Sequence, residues 1–168
     1  TTPMPEAPQL RGLPGVDGWV PHAPPDVLPG FRRAAEHFGG DIFLRITGDC
    51  PMLDPKLCER VLKRVLDGDI YATNALESSF GLDCQAFTPE ALRRAEAAEG
   101  PDREHVCTWM EQKLEPISYV MLPKETWAVR WAVDTQDDLD RVRAINAHLK
   151  PGDFSWQATL KAAAEAGI

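Results

Sequence analysis

A chain of 168 residues, 43% hydrophobic and 26% charged, is long enough for one domain with a substantial core. Its net charge of -8, with 18 Lys and Arg scattered along the chain, excludes broad contact with a nucleic-acid backbone. No stretch is apolar enough to cross a bilayer, and no basic segment followed by an apolar one opens the sequence; a cytoplasmic protein without a membrane span is expected. Residues 1–30 hold eight prolines and four glycines, a density that breaks helices and strands alike. They read as an irregular N-terminal segment, with a short extended piece around Trp19 and Val20, ahead of an α/β domain over residues 31–168.

Residues 31–38 form a short predicted helix ended by Gly39-Gly40, with Phe31, Ala34, Ala35 and Phe38 on one face. The stretch 41–55, DIFLRITGDCPMLDP, is the organising segment of the domain. Ile42, Phe43, Leu44 and Ile46 make a buried, central strand, Gly48 and Asp49 a turn, and Asp54-Pro55 an N-cap with a first-turn proline. The helix runs over 55–66, with Leu57, Val61 and Val65 four apart, and ends at Gly68. Residues 69–74 read as a strand and 76–81 as a loop. Residues 82–87 alternate weakly, as an edge or interface strand would.

Thr88-Pro89-Glu90 starts a helix through residue 98, and Asp102 caps another from 103 to about 114. Strands are predicted at 117–122 and 129–133. Thr135 with Asp138 three residues on is an acidic capping box, and Leu139, Val142, Ile145 and Leu149 mark that helix's inner face. A last helix spans 155–166. Cys50, Cys58, Cys84 and Cys107 include no CxxC pair and read as buried free thiols.

Strands alternating with helices indicate an α/β sheet flanked by helices, whose ligands bind beyond the carboxyl ends of the strands. Asp49 and Asp134 both follow a hydrophobic strand and precede a helix cap, which puts both at that edge. Two carboxylates converging there suit Mg2+, which leaves its remaining positions to water and phosphate oxygens. Equally, each acid could serve only its own turn or cap. Arg45, inside a strand, needs either a carboxylate partner or an anion beyond the sheet edge. Asn74 either contacts a sugar or fixes the loop after it. Asp83 reads equally as a ligand contact or as chance, and His105 as a contact to a hydroxyl or phosphate or as a helix-cap residue. No GxGxxG, Walker loop or nucleophile elbow is present.

The strings RITGDCPMLDP, YATN, GLDCQAF, DREHV and RWAVDTQDDLDRV, in this order, resemble the cytidylyltransferase family of spore-coat polysaccharide biosynthesis proteins, relatives of the enzymes that activate sugar acids with CTP. The resemblance covers about residues 26–149. It implies a Rossmann-like nucleotidyltransferase sheet, commonly in a dimer, and transfer of CMP from CTP to a sugar or sugar-acid hydroxyl with Mg2+. Asp49 and Asp134 would then be the catalytic cation ligands. Asp83 and His105 would lie near the acceptor sugar or the dimer contact, and Asn74 near the substrate pocket. The family opens with a strand and a basic glycine loop that holds the triphosphate, whereas this chain has QLRGLPG at 9–15 and no strand before it. Gln85 also replaces a usual acid. By this resemblance the sheet is N-terminally truncated or altered. The alternative function is then a non-catalytic or divergent member that acts as a partner subunit, in a homodimer or a heteromer, or on another small molecule.

Overall fold

The computed structural model describes residues 2–3, 14–22, 25–75 and 80–168. Of the QLRGLPG string, residues 9–13 lie outside the described residues, as do residues 76–79 of the predicted loop. A two-residue parallel pairing joins β1 (Thr2–Pro3) to β2 (Pro21–His22) in the segment expected to be irregular apart from a short extended piece around Trp19 and Val20.

The main sheet has four strands in the order β3 (Phe43–Ile46), β5 (Cys84–Phe87), β4 (Tyr71–Thr73), β6 (Ile117–Tyr119). β5 runs antiparallel to both neighbours, and β4 and β6 are parallel. Two expectations are corrected by this order. The segment 82–87 is not an edge strand but lies inside the sheet, where small Ala86 and Cys84, both fully buried, let a helix pack close above them. The presumed central strand is instead an edge: Leu44 is 42% and Ile46 60% exposed.

Register places Phe43, Phe87 and Tyr71 in one row across the sheet, with Arg45, Gln85 and Thr73 in the next row of the same face. That face packs against α1 (Leu28–Phe38), α3 (Pro89–Arg94) and α4 (Val106–Lys113) through Leu28, Leu92 and Met110. α1 starts at Leu28, three residues before the predicted start, because Pro29 occupies a first-turn position where its missing N–H costs nothing. The helix expected from residue 103 is a 3-10 turn over Gly100–Arg103 followed by α4, and His105, not Asp102, holds the N-cap position. The opposite face packs against α2 (Pro55–Leu66), whose Cys58, Val61 and Val65 meet Ala72, Cys84 and Ala86. Burying these side chains contributes roughly 1.5–3 kcal/mol for each large aliphatic residue.

A third core sits beyond the sheet. Trp131, fully buried, packs with Met52, Leu82 and Leu122 against α5 (Gln136–Ala147) and α6 (Trp156–Glu165). The predicted strand at 129–133 joins no ladder. Among the described residues its backbone N–H groups make isolated bonds instead, from Trp131 to the Phe80 carbonyl and from Val133 to the Asp49 carbonyl, while the Arg130 carbonyl accepts from Arg141 Nε at 3.2 Å. It is a seam between the sheet's rim and α5, extended because Trp131 is anchored on the other side by its indole N–H to the Thr126 carbonyl, 2.8 Å.

Candidate functional site

β3 and β4 point the same way, so the turn after Ile46 and the loop after Thr73 leave the sheet at one edge. The seam brings residue 133 to that edge. The Val133 N–H to Asp49 C=O bond, 2.9 Å, sets Asp134 beside Asp49 on one rim. Both carboxylates are exposed. The Asp134 carboxylate pairs with Arg130, which also stacks on the Phe80 ring at 5.5 Å. Asp83 comes to the same place: the Cys50 thiol lies 3.6 Å from the Asp49 Oδ1 and 3.9 Å from the Asp83 Oδ1. Asp49, Asp83 and Asp134 therefore share a rim, although they are far apart in sequence.

Cys50 was not singled out at the sequence level, although its adjacency to Asp49 was the available signal. Burial and the two neighbouring carboxylates push its thiol up to about 12, against which the Thr47 hydroxyl, 2.9 Å away, acts in the other direction. With no cation beside it, it stays a neutral thiol at physiological pH.

The backbone of this rim is held by buried acids and amides. Asn74, fully buried, donates to the Leu82 carbonyl at 2.9 Å and accepts from the Cys84 N–H at 2.7 Å. These bonds tie Asn74, at the end of β4, to the start of β5. Asp54, 2% exposed, caps α2 by accepting from Lys56 N–H at 2.7 Å and ties α6 to it by accepting from Trp156 N–H at 2.9 Å. Asp138 completes the predicted capping box, accepting at 3.0 Å from the N–H groups of both Asp134 and Thr135. The Arg141 guanidinium beside Asp138, together with those backbone donors, holds its carboxyl well below the usual carboxylate range. The clamp of Arg141 and Arg130 on Asp138 is a feature sequence reasoning missed.

The other expected site residues stand apart from the rim. Arg45, one row below it, donates to the Gln85 Oε1 at 2.6 Å and makes no ion pair among the described residues. On the same face the Tyr71 hydroxyl donates to Glu111 at 2.7 Å, and burial pushes the Glu111 carboxyl above its ordinary value. His105 is exposed at the start of α4, and its side chain makes no cap bond.

Among the described residues no group of three or more His, Cys, Asp or Glu side chains is arranged to hold a metal ion. The oxygen donors at the rim nonetheless fit a cation that binds through one or two carboxylates and otherwise through water and phosphate. Asp49 is the freer donor, whereas Asp134 would have to loosen its pairing with Arg130.

No protein-family profile matches the chain. By sequence it is similar to an uncharacterized protein of Methanocaldococcus jannaschii, 29% identical over 133 residues that make up 73% of this chain and 53% of that protein. It is also similar to the spore coat polysaccharide biosynthesis protein SpsF of Bacillus subtilis, 25% identical over 126 residues, 71% of this chain and 52% of SpsF. The chain thus spans about half the length of the curated relatives it matches. In three dimensions it superposes on a cytidylyltransferase from Leptospira borgpetersenii with a TM-score of 0.78 at 22% identity, covering 88% of this chain and 65% of that one. No helix among the described residues is long and apolar enough to cross a membrane. The chain is thus a weak sequence relative of the spore coat polysaccharide biosynthesis protein SpsF and carries the fold of the Leptospira cytidylyltransferase, a four-stranded open sheet flanked by helices.

Proposed function

We propose that the rim formed by Asp49, Asp83 and Asp134 is a nucleotidyl-transfer site, moving CMP from CTP to the hydroxyl of a sugar or sugar acid, with Asp49 and Asp134 holding Mg2+. The observation that carries this reading is the backbone bond from Val133 to Asp49, which unites acids 85 positions apart in sequence at the carboxyl edge of the strands. A bound Mg2+ would offset the charge of the triphosphate and polarise the phosphoryl group under attack. Asp49, exposed on a turn whose shape Thr47 and Cys50 fix, would supply the first oxygen. Asp134, anchored through its own backbone N–H to Asp138, would supply the second. The buried amides and acids behind them keep these positions fixed without consuming the two carboxylates, which lowers the reorganisation needed on binding.

Titration of the purified chain with CTP in the presence and absence of Mg2+ tests this. Binding that needs Mg2+ and weakens at least about tenfold in Asp49→Asn is expected. Absence of CTP binding by a folded protein overturns it.

A further inference from the structure

Two arginines and two acids meet where the seam joins α5. Arg130 pairs with Asp134, and its Nε also lies 3.6 Å from the Asp138 carboxylate, which pairs in turn with Arg141. The two cations are held for different ends. Arg141 is spent on the fold: besides Asp138 it binds the Arg130 carbonyl, donating from Nε at 3.2 Å. Arg130 is half-exposed, and its guanidinium has two holds besides Asp134, the Phe80 ring at 5.5 Å and the Asp138 carboxylate. Its backbone is pinned as well, because the next residue, Trp131, is fully buried. The acids divide in the same way. Asp138 is almost sealed and accepts from two backbone N–H groups, whereas the Asp134 carboxylate is half-exposed on the rim.

We infer that Arg130 is the phosphate contact of the rim: it neutralises Asp134 until that carboxylate is drawn to a cation, and then offers the same guanidinium to a phosphate oxygen of the bound nucleotide. This rests on the nucleotidyl-transfer reading above, in which Asp134 holds Mg2+. Charge balance carries the inference. Two guanidinium groups face two carboxylates, so once Asp134 is shared with a cation, Asp138 alone is left between two arginines. The surplus positive charge falls on Arg130, the more exposed of the pair at 42% against 24% for Arg141. Exposed ion pairs are worth little, so Asp134 is released at small cost. The Phe80 ring and Asp138 meanwhile keep the guanidinium at the rim, where its planar fork of donors matches phosphate oxygens. Phosphate reaches the same place, because a cation on Asp134 fills its remaining positions with water and phosphate oxygens.

Two probes on the intact chain separate the two roles. Mn2+ reports on the carboxylates, through the fall of its free electron paramagnetic resonance signal, and inorganic pyrophosphate in saturating Mg2+ reports on the anion contact, by calorimetry. Arg130→Met should move them in opposite directions. Mn2+ binding is expected to tighten about threefold, because Asp134 has lost a competing cation, and pyrophosphate binding to weaken about tenfold. Arg130→Lys, which keeps the charge without the fork, should leave Mn2+ binding near the parent value and lose only part of the pyrophosphate affinity. An Arg130 that merely shapes the rim would weaken both or neither, and either result overturns the inference while CTP binding by the parent keeps the nucleotidyl-transfer reading standing. Circular dichroism shows whether Arg130→Met folds. Where it does not, Arg130→Lys decides, and an unchanged pyrophosphate affinity overturns the inference. A folded parent that binds neither Mn2+ nor CTP removes the nucleotidyl-transfer reading, and this inference with it.

Discussion

Two motifs of this chain each set an exposed acid a few residues ahead of a buried one, and these meet opposite fates. In GDCPMLDP, Asp49 is exposed while Asp54 is 2% exposed and bonded to the backbone of two helices. In AVDTQDD, Asp134 is exposed while Asp138 is 6% exposed and accepts from two backbone N–H groups. The same side chain, a few residues apart, is either absorbed by the fold or left to the solvent. What separates them is donor supply. A carboxylate beside the first turn of a helix finds unpaired N–H groups and is consumed by them. One placed on the preceding turn finds none and stays available to a ligand. The absorbed acids are therefore expected to govern stability, and the available ones function.

The strongest test of that division breaks the seam on which both motifs lean. Gly81 has φ +96°, and a Cβ there would stand 2.1 Å from the Ala132 nitrogen and 2.3 Å from the Trp131 carbonyl carbon. Both obstacles are backbone, so neither can swing aside. Gly81→Ala should cost about 3–5 kcal/mol by urea denaturation, the upper end for a single substitution. It should also displace Asp83 from the rim.

Next in size is Asp54→Ala. It removes the cap of α2 and orphans the Trp156 N–H, for about 2–4 kcal/mol in the same measurement. A loss under about 1 kcal/mol would show that water replaces the carboxylate readily and that donor supply separates the acids less sharply.

Asp138 carries the pH dependence. Its folded-state carboxyl titrates below the unfolded one because Arg141 and the backbone donors of Asp134 and Thr135 favour the anion. Its contribution to stability is thus complete above about pH 4 and declines as pH falls through the acid range. Asp138→Asn should lower stability at neutral pH and flatten that acid limb, read as the melting temperature across a pH series. An unchanged slope would mean that other carboxylates set the acid sensitivity.

Legibility in the sequence depends on range. The caps at Asp54 and Thr135 and the helix start at Thr88 were readable because each needs only its own few residues, and all three side chains accept a backbone bond there. Strand order was not readable, because pairing is settled by residues far apart. Leu44 and Ile46 look like core in a linear run, and only the sheet order shows them to be a margin. Conversely, Gln85 gave the segment 82–87 the polar look of an edge, yet it is 4% exposed with Arg45 as its partner. At the candidate site, the strand-turn pattern put Asp49 and Asp134 at one edge, and the Val133–Asp49 backbone bond does bring those two turns together. The bond from Trp156 to Asp54 spans 102 positions and has no local signature.

The smallest expected effect is the most discriminating. Asp49→Asn and Asp134→Asn should each change stability by no more than about 0.5 kcal/mol, although they stand within five residues of acids that matter far more. Asp134 has one partner to lose, Arg130, and both side chains are about half exposed, at 54% and 42%. Pairs so exposed are worth little because water screens them and ordering two flexible side chains costs entropy. Arg130 would also keep Asp138, 3.6 Å away, and the Phe80 ring as alternative partners. If either variant instead unfolded with a loss above about 1.5 kcal/mol in urea, that carboxylate would be part of the scaffold, and any loss of CTP binding in the variant would report on folding rather than on a vacant ligand position.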